Sequence, residues 1–323
     1  MASDGSANAA VSAANPDRNR VVKSKKVWTT LITNTAYLPG LLALDYSLRV
    51  AGSEYPLIAL YTDSFPAEGH AALDARHIPK KRIPYLVPKM SSDFSNDPRF
   101  YDCWSKLTPF SLVEYERVVQ LDSDMLVLRN MDELMDLELD PPSMHGTGDR
   151  VFAASHACVC NPLKKKHYPK DWIPANCAFT TQHDSPDEAQ KSGAPSTAGL
   201  AMPNGGLQVV NPCAEVYDLI LDQLTKESTA SYEFADQSML GDLFHGRWVA
   251  LPYTYNALKT MRWKGVHDKI WRDEQVKNLH LLLSPKPWDE KPGESEHETH
   301  RWWWDMNSKR LSEEKKKGIE DGF

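Results

Sequence analysis

The sequence predicts an α/β fold in which helices cover a mostly parallel sheet. Between residues 27 and 139, short runs rich in valine, isoleucine and leucine alternate with segments whose apolar residues recur at helical spacing. Strands and helices that alternate in this way form largely parallel sheets with helices on both faces. At 323 residues the chain can bury a sizeable core, as one large domain or two small ones. In such folds, ligands bind outside the carboxyl ends of the strands.

The first half of the chain carries the most regular pattern. Leu41, Leu44 and Leu48 recur on one face of a predicted helix, and Pro66 suits the first turn of the next one. The predicted strands are residues 27–32, 56–62 and 82–87, and the predicted helices are residues 38–50, 66–76 and 101–114, the last interrupted near Pro109. The turn at residues 33–37 follows the first strand and therefore lies at a carboxyl end.

Acidic residues interrupt an apolar strand near the middle of this half. Residues 118–121 and 125–128 are mainly apolar, and Asp122, Ser123 and Asp124 lie between them. Three polar residues are hard to bury inside a strand, so we expect the strand to reach the surface at Asp122. Two carboxylates one residue apart suit a divalent cation such as Mn²⁺ or Mg²⁺, which in turn suits a diphosphate. A simple turn with two solvated acids stays open as the alternative, because the motif is short.

Beyond residue 139 the pattern is less regular. Residues 156–196 form a long polar segment, and such loops inside compact domains are usually functional or partly disordered. Gly205 and Gly206 permit either close approach of a ligand or a tight turn. Further strands are predicted at residues 151–154 and 207–210, and further helices at residues 214–224 and 235–244. At least one of the tryptophans at 302–304 is expected to cover the core, since three adjacent side chains cannot share one helix face.

Composition excludes several classes of protein. A formal net charge of −7 argues against a protein that binds nucleic acid through bulk charge. The sequence has no apolar run long enough to span a bilayer and no signal-peptide core, so we expect a cytoplasmic protein that does not bind membranes. We interpret residues 1–26 as a disordered leader, residues 27–304 as a single domain and residues 305–323 as a charged tail. The oligomeric state is open, and a homodimer is compatible with the sequence.

The five cysteines allow two interpretations. Without a secretory signal, free thiols in a reducing compartment are favoured. Alternatively, Cys158, Cys160 and Cys177, with His156 and His167 nearby, could form a structural zinc site, although their spacing matches no common zinc motif.

Six short motifs follow one another in an order that is specific in combination: Thr33-Asn34-Thr35-Ala36-Tyr37, Trp104-Ser105-Lys106-Leu107, Leu121-Asp122-Ser123-Asp124, Asn204-Gly205-Gly206, Phe234-Ala235-Asp236-Gln237, and His280 followed by Lys286-Pro287-Trp288. Over residues 27–304 the chain resembles glycosyltransferase family 8, which contains glycogenin and the galactinol synthases. It resembles the galactinol synthases more closely. Trp263 stands where glycogenin carries the tyrosine that receives glucose, and residues 158–177 are similar to a cysteine-bearing insertion of galactinol synthases.

The resemblance implies a GT-A fold, with a nucleotide-binding half at residues 27–139 and an acceptor half at residues 140–304. It implies that Asp122, Asp124 and His280 hold the metal. It also implies a donor site, in which the uracil and ribose, the diphosphate and the donor sugar are bound by Leu31, Thr33, Asn34, Tyr37, Lys106, Asp122, Ser123, Asp124, Asn204, Gly205, Gly206, His280, Leu283 and Lys286. Two positions depart from the family: Leu283 replaces a glycine of glycogenin, and Gly205 replaces a more usual alanine or serine.

The implied reaction is a retaining, Mn²⁺-dependent transfer of a hexose from UDP-galactose or UDP-glucose to a small polyol such as myo-inositol. Mg²⁺ is the alternative cation. Lys106, Asp236 and Gln237 are the candidate catalytic residues. A glycogenin-like initiator and a non-catalytic UDP-sugar-binding protein remain as alternative functions.

Each key residue also has a structural interpretation. His280 could be a partly buried histidine at a strand end, and Asp236 could be an acid that stabilises the N-terminus of the following helix. A glycoside hydrolase is disfavoured because Asp122 and Asp124 are too close in sequence to lie on opposite sides of a bond. A phosphohydrolase would need its first aspartate in an early strand, whereas here a nucleotide-type turn precedes it.

Overall fold

The computed structural model describes residues 24–323, and its elements alternate as the sequence predicts. Their order is β1 (Lys26–Ile32), α1 (Leu38–Val50), β2 (Leu57–Tyr61), α2 (Ala67–Ala75), β3 (Lys80–Arg82), α3 (Phe100–Cys103), β4 (Arg117–Leu121), β5 (Met125–Val127), β6 (Phe152–Ala154), β7 (Leu207–Val210), α4 (Ala214–Leu224), α5 (Ala235–Leu243), β8 (Val249–Ala250), β9 (Ala257–Leu258), β10 (Asn278–His280) and α6 (Glu298–Lys316).

A seven-stranded sheet forms the centre of the fold, in the order β3-β2-β1-β4-β7-β6-β8. The four strands of the first half are parallel to one another, and β7 is antiparallel to both of its neighbours. Strands β6 and β8 pair in parallel. This mostly parallel sheet with flanking helices confirms the predicted α/β class. Both halves of the predicted domain contribute strands to this one sheet.

Two predicted elements of the first half differ in the structure. The strand expected at residues 82–87 is the three-residue strand β3, which ends at Arg82. The helix expected at residues 101–114 is the single turn α3 followed by a 3₁₀ helix, Trp104–Ser111, which contains Pro109. Proline has no N–H to donate and clashes with the preceding turn, so a regular α-helix does not continue through this segment.

The apolar stretch around Asp122 belongs to two sheets rather than one strand. Strand β4 ends at Leu121 in the large sheet, and β5 begins at Met125 in a second, three-stranded sheet with the order β5-β10-β9. Strand β10 runs antiparallel to β5, with His280 opposite Met125. The chain therefore crosses from one sheet to the other at the acidic tripeptide, and the same crossing brings His280 beside it.

The polar segment at residues 156–196 is packed against the second sheet. It contains short 3₁₀ helices, and Cys177, Phe179 and Ala189 are fully buried in a core cluster shared with β5, β9 and β10. Its polar composition and lack of periodicity indicated a loop, but its few apolar residues are enough to anchor it.

Secondary-structure elements cross both of the predicted domain boundaries. Strand β1 begins at Lys26, inside the predicted leader, whose residues 1–23 lie outside the described part of the chain. The predicted boundary at residue 304 falls within α6, which buries Trp303, Arg310 and Glu314 and so extends well into the expected tail. None of the helices described within residues 24–323 is long and apolar enough to cross a membrane.

Candidate active site

A deep cleft opens at the carboxyl ends of β1 and β4. The predicted site residues that line it share this one space, although they come from distant parts of the sequence: Leu31, Thr33, Asn34, Tyr37, Lys106, Asp122, Ser123, Asp124, Asn204, Gly205, Gly206, Asp236, Gln237, His280 and Leu283. Lys286 is buried behind them, where it contacts Asp124.

Three potential metal ligands converge at the bottom of the cleft. One ligand atom each from Asp122, Asp124 and His280 lie within 4.8 Å of one another. The His280 Nε2 atom is 3.4 Å from Asp124 Oδ1 and 3.8 Å from Asp122 Oδ2. Two carboxylate oxygens and one imidazole nitrogen that face a common point are a donor set that fits a divalent cation such as Mn²⁺.

A residue that the sequence analysis did not assign to the site orients the imidazole. Nδ1 of His280 donates to Oδ1 of Asn256 at 2.9 Å, so Nε2 is the ring nitrogen that faces the carboxylates. Nδ2 of Asn256 in turn donates to Oδ1 of Asn204 at 2.8 Å. This hydrogen-bond chain joins the predicted metal-binding residue to the predicted sugar-binding loop.

Two lysines neutralise the acidic pair. Lys106 Nζ lies 2.7 Å from Asp122 Oδ1, and Lys286 Nζ pairs with Asp124 and donates to the Leu281 carbonyl at 2.8 Å. Burial alone would lower the pKa of Lys106, but the negative charge of Asp122 outweighs it and raises that pKa. Burial likewise opposes ionisation of Asp124, yet Lys286 and His280 hold its pKa well below the usual value. Burial lowers the pKa of Lys286, and the negative charge of Asp124 opposes this effect. An ionised Asp124 and a protonated Lys106 therefore lie together at the cleft floor.

Asp236 is a buried carboxylate in a different environment. It is 2% exposed, and its polar partner is the side-chain amide of Gln208, which donates to Oδ2 at 3.2 Å. Burial raises its pKa to about 7, and Asp122 adds to the effect while Lys106 opposes it. The protonation of Asp236 therefore changes near neutral pH. Such a carboxylate in a cleft is typical of a functional group.

Two glycines make room for these side chains. A Cβ atom on Gly205 would lie 2.4 Å from Asp236 Oδ2, and one on Gly206 would lie 2.5 Å from His280 Cε1. Both distances are shorter than any van der Waals contact. The glycine at 205, where the family more usually has alanine or serine, therefore matches the close approach of Asp236 in this chain.

Leu283 adopts a backbone conformation that favours glycine. Its φ of 67° lies in the left-handed region, which costs a leucine about 1–3 kcal/mol. The sequence resemblance placed a glycine of glycogenin at this position. At the cleft wall, the backbone of Leu283 thus has a conformation that favours glycine, but the residue carries an apolar side chain.

The turn after β1 is held by local hydrogen bonds. Asn34 accepts from the Ala36 amide at 3.0 Å, and Thr33 donates to Asp102 at 2.7 Å. Tyr37 packs edge-on against Trp288 and accepts a hydrogen bond from Arg99. Burial raises the pKa of Tyr37 to about 12, so its hydroxyl remains protonated at neutral pH.

The segment at residues 156–196, which was expected to be functional or partly disordered, supplies one wall of the cleft. Lys165, Tyr168 and Trp172 line the cleft. The Trp172 ring stacks on Phe234 with a centroid distance of 4.2 Å, and Tyr168 packs edge-on against the same ring. Trp263, by contrast, is not among the lining residues and stacks on His297.

The family model for glycosyl transferase family 8 matches residues 29–291. Among curated relatives, galactinol synthase 1 of Solanum lycopersicum is 28% identical over 314 residues, which cover 92% of this chain and 86% of the relative. Galactinol synthase 4 of Arabidopsis thaliana is 27% identical over 262 residues, which cover 80% of this chain and 72% of the relative.

Solved structures share the fold at lower identity. The galactosyltransferase LgtC, solved with donor and acceptor sugar analogues, has a TM-score of 0.55 at 17% identity, covering 88% of this chain and 96% of LgtC. The glycosyltransferase GlyE of Streptococcus pneumoniae has a TM-score of 0.54 at 18% identity, and the match covers 91% of this chain but 64% of GlyE. These structures show the GT-A fold. With a family match that spans most of its length, the chain belongs to glycosyltransferase family 8 and is a hexosyltransferase.

Proposed function

We propose that the protein is a Mn²⁺-dependent, retaining enzyme that transfers a hexose from a UDP-sugar to a small polyol such as myo-inositol. The observation that carries the proposal is the convergence of Asp122, Asp124 and His280 at the floor of the cleft, with two lysines beside them. UDP-galactose is the preferred donor in this proposal, and UDP-glucose is the second candidate. The galactinol synthases among the relatives support this choice.

In the proposed complex, the cation is held by Asp122, Asp124 and His280. When bound, it would act as a Lewis acid toward the leaving diphosphate. The mixed oxygen and nitrogen donors favour Mn²⁺ over Mg²⁺. Lys106 and Lys286 add positive charge close to the same point, where they would stabilise the negative charge that grows on the leaving UDP.

Asp236 and Gln237 are proposed to face the donor sugar. Gln237 accepts hydrogen bonds from the Gly205 amide at 3.2 Å and from the Asn204 side chain at 3.3 Å, so it fixes the loop that approaches the sugar. An ionised Asp236 would bind sugar hydroxyls and stabilise an oxocarbenium-like centre. Retention requires either a group on the far face of the sugar or deprotonation of the acceptor by the leaving phosphate, and we assign no nucleophile.

A screen of UDP-sugars against polyols and sugars tests the proposal. We expect UDP release to require Mn²⁺ and to be fastest with UDP-galactose and a polyol acceptor, while omission of the acceptor leaves only slow hydrolysis. The products are identified by mass and by the anomeric proton coupling. Binding of UDP-sugar without transfer or hydrolysis to any acceptor would instead indicate a binding protein. Transfer that proceeds at full rate without a divalent cation would contradict the metal site.

A glycogenin-like initiator makes a different prediction. It would increase its own mass when incubated with UDP-glucose, whereas the proposed enzyme keeps its mass unchanged. Trp263, which stands at the position of the glycogenin acceptor tyrosine, has no hydroxyl and stacks on His297 with an interplanar angle of 14°.

Asn256 provides a test of how the metal site is oriented. Asn256→Ala removes the acceptor of the His280 Nδ1 proton, so the imidazole can turn or adopt the other tautomer. We expect the Mn²⁺ concentration at half-maximal activity to rise by about 10–100-fold. Calorimetric titration of Mn²⁺ without donor checks the same loss independently of turnover.

Asn130→Ala is the matched control for this variant. Asn130 lies on an exposed turn, where it donates to the Gly52 carbonyl, and it is not among the residues of the cleft. Its replacement should leave the Mn²⁺ dependence unchanged. If Asn256→Ala behaves like this control, Asn256 does not position His280.

A further inference from the structure

A second group of potential metal ligands lies behind the aromatic wall of the cleft. One ligand atom each from Cys158, Cys160, Cys177 and His267 lie within 4.8 Å of one another. The Nε2 atom of His267 is 3.3 Å from the sulfur atoms of both Cys160 and Cys177. All five cysteines, which lie within residues 24–323, are free, so none of these sulfurs is joined in a disulfide.

The spacing of these atoms suits a tetrahedral zinc ion. Zn–S bonds of about 2.3 Å and Zn–N bonds of about 2.0 Å place neighbouring ligand atoms roughly 3.5–3.8 Å apart around a tetrahedral centre. The two S···N distances of 3.3 Å fall close to this range, and the remaining distances are no greater than 4.8 Å. Small adjustments of side-chain torsions would therefore complete the coordination.

A neighbouring histidine orients the imidazole of His267. Nε2 of His183 and Nδ1 of His267 share a hydrogen bond of 2.9 Å. This bond fixes the ring so that Nε2 faces the sulfur atoms. Metal-binding histidines almost always place their second ring nitrogen in a hydrogen bond, usually to a carboxylate, a backbone carbonyl or water, and here the imidazole of His183 takes that place. Cys160, Cys177 and His267 are buried, while Cys158 is half-buried at the edge of the cleft.

The structure corrects the set of histidines suggested by the sequence. His156 directs Nε2 at the carbonyl groups of Ala194 and Pro195, both at 3.0 Å, and is therefore engaged elsewhere. His167 is not part of the group either and packs against Tyr168. His267 takes their place, and its distance along the chain explains why cysteine spacing alone matched no common motif.

We propose that Cys158, Cys160, Cys177 and His267 bind a structural Zn²⁺ ion. Four protein ligands leave no open position, which is typical of structural rather than catalytic zinc. The ion would join residues 158–177 to the segment around His267. Tyr168 and Trp172 lie in the loop closed by these ligands, so zinc would hold the aromatic wall of the cleft in place.

Metal analysis of the purified full-length chain tests this proposal. We expect about one zinc per chain after dialysis, in addition to any ion at the cleft. Replacement by Co²⁺ should give a thiolate-to-cobalt charge-transfer band, which carboxylate ligands cannot produce. Five free thiols should be titrated after denaturation in a chelator. The proposal would be overturned if removal of zinc left the melting temperature of the protein unchanged. A thiol count lowered by a disulfide would overturn it as well.

Variants separate this site from the cleft. Cys177→Ser and His267→Ala should lose most of the zinc and melt at lower temperature, whereas Cys213→Ser, which replaces a buried cysteine outside the group, should retain it. Asp124→Asn should also retain the zinc and the cobalt spectrum. The wild-type cobalt spectrum remains decisive if Cys177→Ser or His267→Ala fails to fold. Zinc retained in full by both would contradict the ligand assignment.

Discussion

Asp124→Asn is expected to lower kcat by about 10³-fold or more, because it removes a carboxylate from the proposed metal site, where the leaving charge would be stabilised. The amide keeps the shape of the side chain and can still accept from Lys286. It is neutral, however, and a weaker ligand for a divalent cation. Steady-state UDP release, measured across a range of Mn²⁺ concentrations, should show no recovery at high metal.

The choice of asparagine follows from the burial of Lys286. Both substitutions break the buried ion pair, which costs about 3–5 kcal/mol of stability, but asparagine keeps a hydrogen-bond acceptor for this ammonium group, 2% exposed, whereas alanine keeps none. Loss of activity in Asp124→Ala could then reflect unfolding. Asp136→Asn is the matched control, because it makes the same change at an exposed carboxylate on the surface. Full activity in Asp124→Asn would refute the assignment of the metal site.

Asp236→Asn is expected to lower kcat by about 10²–10³-fold while making the protein more stable. The loss of activity follows from the missing negative charge beside the proposed sugar site. The gain in stability follows from burial, because an ionised carboxylate is costly to bury and an amide can still accept from Gln208.

The gain in stability should depend on pH in a defined direction. The pKa of Asp236 is about 7 in the folded protein against 3.8 ordinarily, so folding favours the protonated form. Its contribution to stability is fully present below pH 3.8 and is lost as pH rises toward and through 7. Asparagine does not titrate. The free energy of unfolding of Asp236→Asn should therefore increase relative to that of the wild type over this pH window, by at most about 4 kcal/mol.

Thermal melts of both proteins without metal or donor, at pH 5 and at pH 8, measure this difference. A bound cation would favour the ionised form and mask the effect. Asp218→Asn, at an exposed position on α4, is the control and should leave both activity and the pH dependence unchanged. A melting difference that does not grow with pH would contradict a buried carboxylate with a raised pKa.

Much of the fold and of the candidate site could be predicted because the signals are local. Apolar runs and helical spacing gave α1, α4 and β7 with the bounds that the structure has. Asp122 and Asp124 interrupt an apolar run. Because polar residues are hard to bury inside a strand, this interruption can be interpreted from the neighbouring residues alone. The resemblance to the family then brought in His280 and Lys286, which composition alone could not have connected to the acids.

The residues that the sequence analysis missed depend on contacts between distant segments. Asn256 orients His280 from a neighbouring strand connection, and His267 approaches the three cysteines from a segment without periodicity. The same holds for the wall at Tyr168 and Trp172, since a polar segment gives no sign of where it folds back. The composition could have suggested that a histidine joins the cysteine cluster far upstream, but it could not show which histidine does so.

The crossing of the chain between two sheets divides the cleft floor between early and late parts of the polypeptide. Asp124 and Lys286 are separated by 162 positions in the sequence, and His280 lies at the end of β10, the last strand. A ribosome must therefore synthesise the chain through β10 before Asp122, Asp124 and His280 can meet. Any fragment that stops ahead of β10 would be inert toward nucleotide sugars, and two complementary fragments would regain turnover only after they associate.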